Sequence, residues 1–293
     1  MWTLLRIELL KIFRRPRTYI SFAAIFLIVG VIQLALVADG GSYVSFMTAN
    51  ISDALEIPRE KILNGYLVCF IILNTLLIQV PLLIALIAGD AIAGEANMGT
   101  LRLLITKPVS RSTLLLVKFF ACVVYVILLL LWMALLALGL SVLLFGTNDM
   151  VILRSEVIEQ IRSSDVLWRY FAAFGYAAVA LTTVAALAFL LSIFAENSIG
   201  PIVTTMSIVV IFTILSEMNI PLYDQTVKPY LFTTHMVAWK GFFYLKADSE
   251  GQSIAGSIEN LPAILRSLTT LLVYIGLFVG SALFIFKRKD ILS

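Results

Sequence analysis

Histidine is almost absent from this chain: His235 is the only one in 293 residues. Most histidine-based metal centres draw on two or three imidazoles and are thereby excluded. Cysteine occurs twice, at Cys69 and Cys122, both inside apolar runs and without CxxC spacing. They read as packing residues, not as a disulfide or metal framework. Charge is scarce too. Charged residues make up 13% of the chain and hydrophobic ones 61%, with a mean hydropathy of +1.02. Soluble domains sit near roughly 25% charged and 45–50% apolar, so this chain has too little polar surface to cover itself in water. Neither HExxH nor GxSxG occurs, so no familiar zinc hydrolase or serine nucleophile can be assembled.

What is present is long apolar runs, near residues 19–37, 66–88, 119–145, 170–194, 199–215 and 265–286. Each approaches or exceeds the roughly 20 residues of a helical span. None alternates with a period of two, which disfavours a β-barrel. The expected fold is an all-α integral membrane protein with six transmembrane helices in one domain, 1–293. The basic residues set its orientation. Arg6, Lys11, Arg14, Arg15 and Arg17 precede the first run, Arg102, Lys107, Arg111 and Lys118 follow the second, and Lys287, Arg288 and Lys289 end the chain. The positive-inside rule then places both termini in the cytoplasm. The basic excess reports topology rather than nucleic-acid binding.

Residues 1–17 carry Trp2, Leu5, Leu9 and Ile12 at spacings of three and four before Pro16. They read as an interfacial helix or as a plain basic flank; the first apolar run is long enough to span and no small-residue cleavage pattern of a signal peptide follows it. Residues 146–167, with Arg154, Glu156, Glu159 and Arg162, are spaced like a short surface helix. Glu196, Asn197 and Ser198 mark a tight turn between the fourth and fifth runs. Residues 217–263 mix prolines with an aromatic-rich stretch, too broken to span and too apolar for a free loop, and read as a partly re-entrant outer segment. His235 within it reads as a hydrogen-bonded interfacial residue.

The polar residues within spans are Asn74, Thr75 and Gln79 before Pro81, and Thr205 and Thr213 on the Pro201 face of the fifth run. They can line a pathway or make ordinary helix–helix hydrogen bonds, and both readings stay open. Gly276 and Gly280 form a GxxxG pair. No acid–base pair lies deep in the spans, so proton coupling lacks obvious carriers.

The segment 89–118 reads GDAIAGEANMGTLRLLITKPVSRSTLLLVK. Asp90 suits a helix N-terminus, Gly99 permits a bend or a close approach, Pro108 stops a helix and Ser110 can cap the next. Leu101, Leu103, Leu104 and Ile105 form an apolar knob outside the membrane, which a partner protein or the inner leaflet could bury. This pattern, D-x-I-A-x-E-x-x-x-G-T-L followed by P-V-S-R and a span-opening lysine, resembles the permease subunits of type-2 ABC exporters. It is most similar to the group of copper-enzyme maturation and gliding-motility permeases, with LFTTHMVAW at 231–239 adding weakly.

The resemblance implies a coupling segment at 89–111. Glu95, Met98, Gly99, Thr100, Leu101, Arg102, Leu103 and Leu104 would dock on a separate ABC ATPase that binds ATP and magnesium. It also implies a homodimer of permeases with two ATPases, in the cytoplasmic (inner) membrane of a bacterium. The chain itself has no P-loop, since none of its lysines is followed by serine or threonine. An outer accessory protein, driven by force alone, and a stand-alone transporter or channel are the alternatives. The sequence assigns no catalytic residue and no metal ligand.

Overall fold

The computed structural model describes residues 1–48, 62–100, 109–154, 157–218, 226–246 and 254–288. It is an all-α integral membrane protein. Five helices are long and apolar enough to cross a bilayer, and a bent pair counted as one span makes the sixth. Helix α1 (Trp2–Phe13) ends before Pro16, which opens α2 (Pro16–Thr48), the helix position where proline's missing N–H costs nothing. The first span outruns its apolar run. Helix continues beyond residue 37, where the apolar run ends, to Thr48, interrupted at Asp39 (φ −142°, ψ 38°).

The second span is α3 (Gly65–Thr75) and α4 (Gln79–Ala88), bent by 55°. Proline causes the break: the Pro81 ring clashes with the carbonyl four residues back, at Leu77, and offers no N–H. Asn74 and Thr75 donate back to the Phe70 and Ile71 carbonyls, which bends a helix further. At its start, a Cβ on Gly65 would sit 2.5 Å from the Val142 Cα. Only glycine lets the two backbones cross this closely, with Gly65 N–H donating to the Gly146 carbonyl at 3.0 Å.

Asp90–Asn97 forms the short helix α5, and α6 (Arg111–Phe145) is the third span. Ser110 caps α6 by accepting the Thr113 N–H. One turn, Leu135–Leu140, is π-helical; buried Gln33 of α2 donates to the Leu136 carbonyl there and to the Ser141 hydroxyl.

Residues 150–154 and 157–161 depart from the expected surface helix. They form an antiparallel hairpin, β1 (Met150–Arg154) and β2 (Val157–Ile161), in which Ile152 pairs with Glu159. The β-branched residues Val151, Ile152, Val157, Ile158 and Ile161 decide it: charge spacing suggested helix, and side-chain branching won. Buried Glu159 then accepts the Leu245 N–H.

The fourth span, α7 (Ser163–Ser192), is the central helix. Its buried Ala173, Ala180, Ala185, Ala186 and Ala188 allow neighbours to approach closely. Helix α8 (Ile199–Glu217) follows after a short turn, and α10 (Leu261–Arg288) is the last span. Gly276 and Gly280 face outward on α10 with no atom of the described residues within 4 Å of an added Cβ.

The segment before α10 contains α9 (Phe232–Met236) between two 3₁₀ turns. It packs against α7 and α10, with Trp239 and Phe243 against Phe70 of α3. Arg169, fully buried at the start of α7, fixes the segment. It donates to the Phe242 and Ser257 carbonyls at 2.5 and 2.8 Å and pairs with Asp165 at 2.7 Å. His235 bonds the Pro229 carbonyl and the Ser267 hydroxyl.

Candidate coupling site

Segments that the sequence separates by about a hundred residues meet at one end of the bundle. Helix α5 leaves the second span at Gly89 and wedges against α7 and α8. Its first-turn N–H groups at Ile92 and Ala93 both donate to Ser192 Oγ, at 3.0 and 2.9 Å, so the end of the fourth span satisfies donors that a helix start leaves open. Asp90 is buried and pairs with Arg15 and with Arg17 at 2.8 Å, and it accepts the Ser198 hydroxyl from the turn before α8.

Glu95, one turn on, faces inward. Its Oε1 pairs with Lys118 of α6 at 2.7 Å and with Lys11 of α1 at 2.8 Å. Glu8 completes the ring, pairing with the same two lysines at 2.9 and 2.8 Å. The side chains of Lys118 and Glu95 are 3% and 5% exposed. Two carboxylates and two ammonium groups balance in charge, which a buried cluster requires. Glu95 Oε2 is buried and has no hydrogen-bond partner among the described residues. Glu95, Lys118, Glu8 and Lys11 line a small cleft.

Burial raises the pKa of Glu8, but Lys118 and Lys11 outweigh it and hold the carboxyl below its ordinary 4.5. Burial likewise lowers Lys11, but Glu8 and Glu95 prevail and raise it above 10.5. Glu8 therefore contributes stability that is present above its ordinary value and lost as pH falls through the depressed one. The Lys11 contribution is present below 10.5 and lost as pH rises through the raised value. Between these limits the ring does not titrate through either group.

The helix ends at Gly99. Met98 N–H donates to the Gly94 carbonyl and Gly99 N–H to that of Ala96, and Gly99 lies in the left-handed region at φ +68° with no atom of the described residues within 4 Å of an added Cβ. Of the two roles open to this glycine, the structure selects the bend, as at many helix C-termini. Met98, Gly99 and Thr100 are exposed. Leu101, Arg102, Leu103 and Leu104, and with them most of the apolar knob, lie outside the described residues.

Thr75, Thr205 and Thr213 donate to the carbonyl four residues back in their own helices, as does Asn74. Thr75 and Gln79 are exposed, whereas Thr205 is fully buried. Sequence reasoning missed the ring: Lys118 read as a topology signal and Glu8 drew no attention. The available signal was a lone acid, Glu8, amid the basic residues of α1, and a lysine inside an apolar helix. Among the described residues no group of three or more His, Cys, Asp or Glu could hold a metal.

No curated protein matches the chain. A family model described as "Protein of unknown function (DUF2705)" matches residues 19–292. The chain belongs to the DUF2705 family.

Proposed function

We propose that this protein is the membrane-spanning permease subunit of an ATP-driven exporter of the type-2 ABC kind, moved by a separate ATPase that binds ATP and magnesium. The observation that carries the reading is the ion ring. Helix α5 and the exposed 98–100 turn are tied through Glu95 and Asp90 to α1, α2, α6 and the α7–α8 turn. A push delivered to this turn would reach the helices together, because buried charges cannot part without losing their partners. Glu95 then acts from inside, and Met98, Gly99, Thr100 and the Leu101–Leu104 stretch meet the ATPase. Two permeases would pair, and the outward-facing Gly276 and Gly280 of α10 suit close helix approach. The membrane is the inner membrane of a bacterium, with both termini in the cytoplasm.

The buried Arg169 clamp favours a second reading, in which the same machine transmits force to an outer partner through the 217–262 segment without passing a substrate. Transport into sealed vesicles separates the two.

Affinity purification of the tagged chain from its native membrane in mild detergent, followed by an ATPase assay, tests the first reading. A stoichiometric ATPase is expected, and it is lost when Leu103 and Leu104 become aspartate. A clean preparation with neither partner nor hydrolysis would sink the assignment. Gly99→Ala forces alanine into the left-handed region at a cost of about 1–2 kcal/mol. Vesicles holding this variant and its ATPase should hydrolyse ATP with transport reduced, while the protein stays folded; unaltered coupling removes Gly99 from the mechanism.

A further inference from the structure

One side of α1 is turned away from the ion ring. Trp2, Arg6, Leu10 and Arg14 recur every four residues, a spacing that drifts by only about 40° per step and keeps them on one side of a helix. All four are exposed, Trp2 at 78% and Leu10 at 49%. Glu8 and Lys11, on the other side, enter the ring. Two residues after Arg14, Pro16 opens the first span, so the exposed face lies where the span meets the headgroups. A shallow groove is lined there by Arg14 and, along α2, by Pro16, Tyr19, Ile20 and Ala23. From Pro16 to Ala23 it extends about 10 Å along the helix, at about 1.5 Å per residue.

Charge decides what covers this face. The carboxylates of α1 and α5 are Glu8, Asp90 and Glu95, and all are paired, with Lys11, Lys118, Arg15 and Arg17. The guanidinium groups of Arg6 and Arg14 have no partner among the described residues. Water alone could solvate two arginines, but Trp2, Ile7 and Leu10 are interleaved with them, and these need an apolar cover. A lipid surface offers phosphate oxygens and hydrocarbon together. A zwitterionic headgroup would bring its own ammonium, for which this face has no free carboxylate. An acidic headgroup brings only the charge that is missing. We propose that α1 and the groove bind an acidic phospholipid of the adjoining leaflet. Its phosphate accepts from the Arg14 guanidinium and an acyl chain lies along Tyr19, Ile20 and Ala23. Lipid and ring then hold α1 from opposite sides. The assignment rests on the membrane fold and does not depend on ATP coupling.

Photolabelling of the full-length protein in phosphatidylcholine vesicles tests it. The vesicles contain a trace of phosphatidylglycerol with a diazirine in its acyl chain, or of phosphatidylcholine with the same chain, and adducts are mapped after irradiation. The glycerol probe should label residues 16–23 about fivefold more than the choline probe, the worth of one surface cation toward an acidic lipid. Exposed Leu131 and Leu135 of α6 should take both probes equally. Arg14→Gln should lower the ratio at 16–23 about fivefold, and Arg14→Lys, which keeps the charge but not the planar fork, should retain part of it. Unchanged labelling of Leu131 and Leu135 certifies the fold of both variants. Inorganic phosphate should not compete, since it carries no chain; competition would overturn the lipid assignment in favour of a soluble anion. Equal labelling of 16–23 by the two probes, a preference undiminished in Arg14→Gln, or the same preference at Leu131 and Leu135 also overturns the proposal.

Discussion

Lys118→Met should destabilise the protein by about 3–5 kcal/mol, the usual cost of leaving a buried charge without its partner. Methionine fills a similar volume, so the loss comes from charge and not from a hole. Two carboxylates, Glu8 and Glu95, then share the single ammonium of Lys11, which is itself partly exposed. The diagnostic outcome is the rescue. Adding Glu95→Gln to Lys118→Met removes the carboxylate left bare and should recover most of the loss, giving a strong non-additive coupling. Unfolding in mixed micelles measures both. A single variant within about 1 kcal/mol of wild type, the scale of an exposed pair, would falsify the claim that this ring holds α1, α5 and α6 together. Run across pH, the wild-type contribution of Glu8 should stay level from neutral down to the ordinary carboxylate range and fall only below it, since the pairing depresses its pKa.

The second large effect falls at the opposite end of the bundle. Arg169→Met deprives the Phe242 and Ser257 carbonyls and Asp165 of their donor at once, and about 3–5 kcal/mol is again expected. Lysine should not rescue, because one ammonium cannot reproduce the planar fork that reaches three acceptors. The readout can be local. Lys228, Lys240 and Lys246 lie in the clamped segment, so trypsin added to intact vesicles or micelles should cut Arg169→Met faster than wild type. Equal cutting rates would show that the aromatic contacts of Phe243 with Tyr170 and Phe70 suffice.

Much of this architecture is legible in the sequence because bilayer spans are a matter of length and apolar content. The π turn at Leu135–Leu140 and the bend at Thr75–Gln79 are less so. Pro81 announces a kink, but its 55° depends on what packs there. The hairpin was misread since Arg154, Glu156, Glu159 and Arg162 imitate helical charge spacing, while the branched side chains between them carry the decisive preference. At the candidate site, Asp90, Glu95 and Gly99 stand out by pattern. Their partners do not: Lys118 is 110 positions from Glu8 and Ser198 is 108 from Asp90. Pairing over such separations is a property of the bundle, and no local periodicity encodes it.

The ring also constrains biogenesis. Helix α1 carries Glu8 and Lys11, yet Lys118 follows Glu8 by 110 residues. At about 5–20 residues per second of synthesis, the interval is about 5–20 s. Throughout it the amino-terminal helix must wait at the membrane surface with Glu8 solvated or paired to Lys11 alone, while two further spans insert. Its docking is therefore a late event that reports arrival of the third span, and a nascent chain halted before that point should leave its N-terminus open to added protease.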